Sequence, residues 1–286
     1  MRSTDAAPAP LGRHGDAIPP LRTFTALVRA GFRRYSTYRQ ATVAGVFTNT
    51  IFGFLRTYVF FAVAAGTGVG LAGGYDREQL ATFVWVGLGL LATVHMWTWT
   101  ELADRIRSGH VVGDLLRPIH PVVTYLAADL GRAGYTVLTR FVPPVLVGLI
   151  LFDCYLPRDW YTLPLFVLSV TLAVVVSFAA RYLVNSLAYW LTDIRGPLIA
   201  YLLGSSSLAG LYFPLRFLPD WLSVTLWVAT PFPSLLQTPL DVVVERDPGP
   251  LRLALVGVQV FWAVALLAAA VLVQRRAERR LVIHGG

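Results

Sequence analysis

The chain reads as an all-α integral membrane protein with six transmembrane helices. Three observations predict this class. First, 56% of its 286 residues are hydrophobic and its mean hydropathy is +0.60, too apolar for an ordinary soluble domain. Second, it holds six apolar stretches, and a membrane helix needs roughly 20 mostly apolar residues. Third, arginines cluster in alternate connections, as expected where basic residues stay on the cytoplasmic side.

Residues 1–20, MRSTDAAPAPLGRHGDAIPP, are rich in Ala, Pro, Gly and Asp and lack the apolar core of a signal peptide. They read as a disordered cytoplasmic tail. Residues 21–286 read as one transmembrane domain. Its first element, 21–39, is amphipathic: Leu21, Phe24, Leu27, Val28, Phe32 and Tyr35 share a helical stripe, and Arg22, Arg29, Arg33 and Arg34 lie mostly off it. Such a helix rests in the headgroup plane with its arginines on phosphates, or packs on another subunit.

Span 1 is placed at 41–65 and is interrupted by Arg56. Span 2 is placed at 80–99, span 3 at 121–152, span 4 at 162–190, span 5 at 197–213 and span 6 at 251–273. Five arginines lie between 22 and 39, ahead of span 1. Arg105, Arg107 and Arg117 follow span 2, Arg195 follows span 4, and Arg275, Arg276, Arg279 and Arg280 follow span 6. The other connections mix Asp76, Arg77 and Glu78, or Asp153, Arg158 and Asp159. This asymmetry puts both termini in the cytoplasm.

Two connections stand out. Segment 101–120 is too polar to span. Its apolar positions predict broken amphipathic helices, with Gly109 and Gly113 as breaks and Pro118 as a stop; His110 and His120 within it read as solvated. Segment 214–250 holds an apolar stretch, 221–230, too short to cross, followed by Pro231, Pro233 and Pro239. It reads as a re-entrant or interfacial helical hairpin on the external side.

Composition also excludes chemistry. All 24 basic residues are arginine. A P-loop needs a lysine for the β/γ-phosphates, so this chain cannot build one, and any ATP hydrolysis belongs to another polypeptide. One cysteine, Cys154, excludes an internal disulfide and a Cys-based zinc site. No metalloprotease or serine-hydrolase motif is present, and the five histidines show no ligand spacing. The net charge of +8 reflects membrane topology and not a nucleic-acid face.

Ionisable residues within spans are functional candidates: Arg56, His95, Asp129, Arg132, Arg140 and Arg181. Asp129 and Arg132 stand at i, i+3 and read as a structural pair. Span centres carry almost no carboxylates, which disfavours a proton-driven secondary transporter. Tryptophans at span ends read as an interfacial belt. Gly204, Ser205, Ser206, Ser207 and Gly210 give span 5 a small-sided face that lets another helix approach closely, within the chain or across a subunit interface.

Taken together, the layout resembles the ABC-2 type ABC-transporter permeases, in particular the small bacterial export group. The local likeness lies in IRSGHVVGDLLRPIHP at 106–121, LAYWLTDIRG at 187–196, and FPLRFLPDWL followed by TPFPSLLQTPLDV. The resemblance implies an elbow helix, a cytoplasmic coupling helix, and a complex of two permeases, identical or paralogous, with two cytoplasmic ATPase subunits. ATP and Mg would sit on the ATPases, with no cofactor on this chain. Coupling would fall to Glu101, Asp104, Arg105, Arg107, His110 and Asp114. The pathway or subunit interface would involve Phe47, Asn49, Phe54, Arg56 and the small face of span 5. It further implies an exporter in a bacterial plasma membrane that is not itself an enzyme. A rival reading is an intramembrane enzyme acting on lipid-linked substrates, using the external acids Asp153, Asp159, Asp220 and Asp241. The cargo is not legible in the sequence.

Overall fold

A computed structural model describes residues 19–36, 39–66, 72–97 and 99–284. The expected tail, 1–20, lies outside the described residues except for its last two. All regular structure among the described residues is helical. Three helical stretches are long and apolar enough to cross a membrane, at Pro121–Leu151, Thr162–Tyr189 and Gly249–Arg279, and Phe47–Val63 is a shorter apolar stretch.

Helix α1 (Leu21–Tyr35) follows the predicted amphipathic stripe. The stripe packs on a helix of this same chain, α6 (Pro121–Thr136). At the crossing, a Cβ on Gly31 would lie 2.4 Å from the Ala128 carbonyl oxygen, and one on Gly131 would lie 2.1 Å from that of Val28. Only glycine permits so close an approach of two backbones.

Helix α2 (Arg39–Gly66) leads to α3 (Arg77–Val94), which starts with a capping box in which Asp76 and Gln79 satisfy each other's backbone N–H groups. Every residue from 80 to 91 of α3 is buried, so α3 is the central helix. It stops earlier than the expected span 2. His95 adopts a left-handed conformation (φ 57) and ends the helix, a role the apolar pattern through 99 concealed.

Two short helices follow, α4 (Glu101–Arg107) and α5 (Val111–Leu115). Gly109, at φ 75, makes the break between them, whereas Gly113 lies inside α5. The long span 3 comprises α6 (Pro121–Thr136), a wider π-turn at Val137–Phe141, and α7 (Val142–Leu151). Pro143 and Pro144 have no N–H to donate into the preceding turn, which accounts for the local widening.

Helix α8 (Thr162–Ser186) runs parallel to α12 (Gly249–His284). Paired polar groups at two levels set this register. Ser169 donates to Gln259 (2.8 Å), and Tyr182 donates to Gln274 (2.7 Å). Between them come α9 (Arg195–Leu208), α10 (Asp220–Ala229) and α11 (Gln237–Val243). Pro239 sits in the first turn of α11, where its missing N–H costs nothing. The 14 residues of α9 reach about 21 Å, shorter than the expected span 5 and than the ~30 Å hydrocarbon core.

Helices α2, α6–α7 and α9 run from the α4–α5 end of the bundle to the α10–α11 end, and α3, α8 and α12 run back. The main core lies between α3, α8 and α11, with a second cluster beneath α4.

Candidate functional site

The connection between α3 and α6 is a folded bracket. In α4, Glu101 and Asp104 lie in the first turn and Arg105 and Arg107 in the last, each sign at the helix end that favours it. Arg105 then forks onto Asp114 of α5 at 2.7 and 2.8 Å. Tyr125 of α6 donates to the same carboxylate at 3.0 Å. The hydrogen bonds to Asp114 hold the Arg105 guanidinium above its ordinary pKa. Beyond the bracket, His120 is buried and caps α6, accepting from the Val122 N–H at 3.3 Å. This corrects the reading of His120 as solvated; His110 is exposed.

The bracket is fastened to α8 by Asn185, which is completely buried. Its Oδ1 accepts from the Ala103 N–H at 3.2 Å, and its Nδ2 donates to the carbonyls of Trp99 (2.6 Å) and Arg181 (2.9 Å). It thereby satisfies a first-turn donor of α4 that has no helical partner. Leu102 and Val111 pack onto Phe178, Ala179 and Tyr182 below. A looser tie joins Arg34 of α1 to Glu101 at 3.1 Å.

Next to the bracket lies a buried charge triad. Asp129 receives Arg132 at 2.7 Å and Arg181 at 2.8 Å. Arg132 also donates to the carbonyls of Ala92 (2.8 Å) and Thr93 (3.0 Å) in the last turn of α3. The expected Asp129–Arg132 pair is present, and Arg181 is its unforeseen third member. The triad ties α3, α6 and α8 together where the bracket leaves the bundle.

The remaining residues expected at a pathway or interface fall into two groups. Phe47 and Ser207 are exposed, and Asn49 is half-buried. The others are engaged within the chain. Phe54 stacks edge-on against Trp85, with ring centroids 5.5 Å apart. Arg56 donates to the Leu211 carbonyl at 2.6 Å. Gly204 faces the Phe232 ring, and Gly210, at φ 85, accommodates the Gln237 side chain. Ser205 and Ser206 are buried and donate back to Leu202.

Two of the four acids expected outside the membrane, Asp159 and Asp241, are built into arginine clusters. Arg216 bridges Asp241 (3.1 Å) and Asp247 (2.6 Å), and Arg246 reaches Asp247 at 2.5 Å. Tyr75 and Gln237 also donate to Asp241. Separately, Arg252 contacts Asp159, Glu245 and the Thr162 hydroxyl. Glu245 accepts from the Tyr155 hydroxyl (2.7 Å), the backbone N–H groups of Arg158 (3.1 Å) and Asp159 (2.9 Å), and the Thr162 hydroxyl. Burial opposes ionisation of Glu245, but these four donors outweigh it and lower its pKa to about 2. Asp220 and Asp153 are exposed and belong to neither cluster.

Sequence reasoning missed Asn185, Gln237 and the exposed pair Val112 and Leu116. An asparagine in the last turn of an apolar span, four residues after an arginine, was the available signal for Asn185. Nothing in the local pattern separated Leu116 from a core leucine.

Fold and site together define an all-helical membrane protein with a polar bracket at one end and a helical hairpin at the other. The family model for ABC-2 family transporter protein matches residues 48–285, and the chain belongs to that family. No curated protein and no solved structure matches significantly.

Proposed function

We propose that the chain is the permease subunit of an ATP-driven exporter in a bacterial plasma membrane. It contributes half of a translocation pathway and receives force from a separate ATPase. Family membership supports the transport role. The observation that carries the coupling assignment is the bracket: two short helices outside the bundle, closed by Arg105–Asp114 and anchored to α8 through Asn185. A lever must be stiff to transmit displacement, and this one is internally bonded and tied to the bundle.

In this reading the six spans are α2, α3, α6–α7, α8, α9 and α12. Their alternating directions and the arginine asymmetry support a cytoplasmic bracket and cytoplasmic termini. Glu101, Arg105 and Asp114 shape the bracket. Asp104, Arg107 and His110 face outward, as do Val112 (50% exposed) and Leu116 (79%) at i, i+4. Those five residues meet the ATPase. A second permease, identical or paralogous, completes the pathway along the exposed face of α2 that includes Phe47. Nucleotide and Mg sit on two ATPase subunits, whose closure shifts the permease pair between two arrangements.

The test is a pull-down of tagged chain from mild detergent with mass spectrometry of what accompanies it. An ATPase subunit should co-purify with the wild type. Leu116→Glu, or the triple change Asp104→Ala, Arg107→Ala and His110→Ala, should release it while the chain stays folded. A chain that comes down alone, with transport persisting after ATP depletion, ends the proposal.

A further inference from the structure

A cavity of about 260 Å³ lies where α1, the bracket, α6 and α8 meet. Trp99, Tyr35 and Tyr125 wall it, and Asp129 and Arg181 form its buried floor. Arg34, Arg105 and Arg117 line it nearer the surface, with Glu101 and Asp114. Counting Arg132, which is bonded to the floor aspartate, five guanidinium groups face three carboxylates. The surroundings are therefore net positive by two charges. Arg117 has no carboxylate partner among the described residues, and Arg181 keeps only one ion pair, to Asp129. Arg34 and Arg117 are exposed and Arg181 is buried, so the cleft carries a positive excess from its mouth to its floor, and such a cleft attracts an anion. The aromatic walls and the amphipathic α1 are features of the headgroup layer.

We propose that this cavity binds a phosphate-bearing anion, held between Arg34 and Arg117 at the mouth and Arg181 at the floor. Such a ligand would cross-link α1 to the turn between α5 and α6. Its source is either the headgroup of an anionic phospholipid in the adjacent leaflet or free phosphate. The inference concerns binding by this chain alone and does not depend on the ATPase assignment; an ATPase absent from the pull-down would leave it standing.

The test is native mass spectrometry and thermal unfolding of the full chain in detergent. It is titrated in parallel with short-chain phosphatidylglycerol, short-chain phosphatidylcholine and inorganic phosphate. Phosphatidylglycerol should bind at least tenfold more tightly than phosphatidylcholine. The double variant R34Q/R117Q should lose that preference, and so should T124F, which fills the cavity without changing charge. The double variant R29Q/R33Q removes the same charge from the exposed side of α1 and should keep the preference. Retained binding of phosphatidylglycerol with no effect of inorganic phosphate identifies the lipid as the source; an equal effect of phosphate identifies the free ion. Equal losses in R34Q/R117Q and R29Q/R33Q, or a wild type that neither prefers phosphatidylglycerol nor responds to inorganic phosphate, overturn the proposal. Elution volume and circular dichroism identify any variant that fails to fold, and T124F then decides alone, since it leaves every arginine in place.

Discussion

At the α10–α11 end, Arg216 and Arg252 each bridge two carboxylates, and Tyr75, Gln237 and Thr162 add neutral hydrogen bonds to the same groups. At the α4–α5 end, the bracket is closed on itself by one arginine fork and joined to the rest of the chain by Asn185, by Tyr125, by Leu102 and Val111 packed on α8, and by the surface pairs Arg34–Glu101 and Arg107–Asp193. The first arrangement is buried and multiply redundant, so it resists any relative movement of its parts. The second concentrates its attachment at a few points. A permease in which one end acts as a fixed cap and the other as a moving part needs this contrast, because a network with many partners has no second arrangement of similar energy.

Removing the centre of the cap should have the largest effect. Arg216→Ala leaves Asp241, which has no exposed surface, without its cation. Loss of one partner of a buried pair costs ~3–5 kcal/mol, so the thermal midpoint in detergent should drop steeply. A midpoint within one degree of wild type would erase the distinction between the two ends.

The attachment of the bracket comes next. Asn185→Ala orphans the Ala103 N–H and the Trp99 carbonyl, a loss of about 1–3 kcal/mol. The effect should be local. Hydrogen exchange should accelerate at 100–107 with the rest of the bundle unchanged, and, in a complex reconstituted with the proposed ATPase partner, ATPase activity should persist while transport falls. Uniform acceleration over all helices would mean that the bracket is not a separable part.

Acid should act on the cap. Glu245 titrates near 2 in the folded chain, against an ordinary value of 4.5. A depressed carboxylate contributes stability that is fully present above its unfolded pKa and is lost as pH falls through the folded one. Protection of loop 152–161 should thus be constant from pH 8 to 5 and decline between about 4.5 and 2. Glu245→Gln should remove that pH dependence. A decline beginning near neutrality would point to another group.

The smallest effect belongs to the exposed pair Arg34–Glu101. Glu101→Gln should lower stability by ~0.2–1 kcal/mol, less at high salt. A larger, salt-insensitive loss would place that pair among the buried fasteners.

Much of this architecture was legible because membrane burial acts on long contiguous stretches. The sequence places span 3 at 121–152 and span 4 at 162–190, and the helices run Pro121–Leu151 and Thr162–Ser186. The stripe of α1 and the apolar part of the hairpin were likewise visible, the latter as α10. What escaped were single-residue and long-range events. His95 ends α3 by a backbone conformation that hydropathy does not encode. Gly204 and Gly210 were recognisable as small, but whether they serve another subunit or Phe232 and Gln237 depends on the tertiary fold. Asp159 and Arg252 lie 93 residues apart, and no periodicity links them. The outward face of the bracket was hidden for a similar reason. The resemblance implied Glu101, Arg105 and Asp114 as contacts, and the fold pairs Arg105 with Asp114 and Glu101 with Arg34.

The shortness of α9 has a consequence for the membrane itself. A helix of about 21 Å beside neighbours that exceed the ~30 Å hydrocarbon thickness cannot match the bilayer on its own flank. Lipids there must tilt or compress their chains, at a cost of fractions of a kcal/mol per Å. With α9 as one of the six spans proposed above, the protein would carry a built-in dent in its annulus, and acyl-chain length becomes a control variable. Shorter-chain lipids should relieve the mismatch at α9 and load it onto α12, so that the thickness of the host membrane sets which flank is strained.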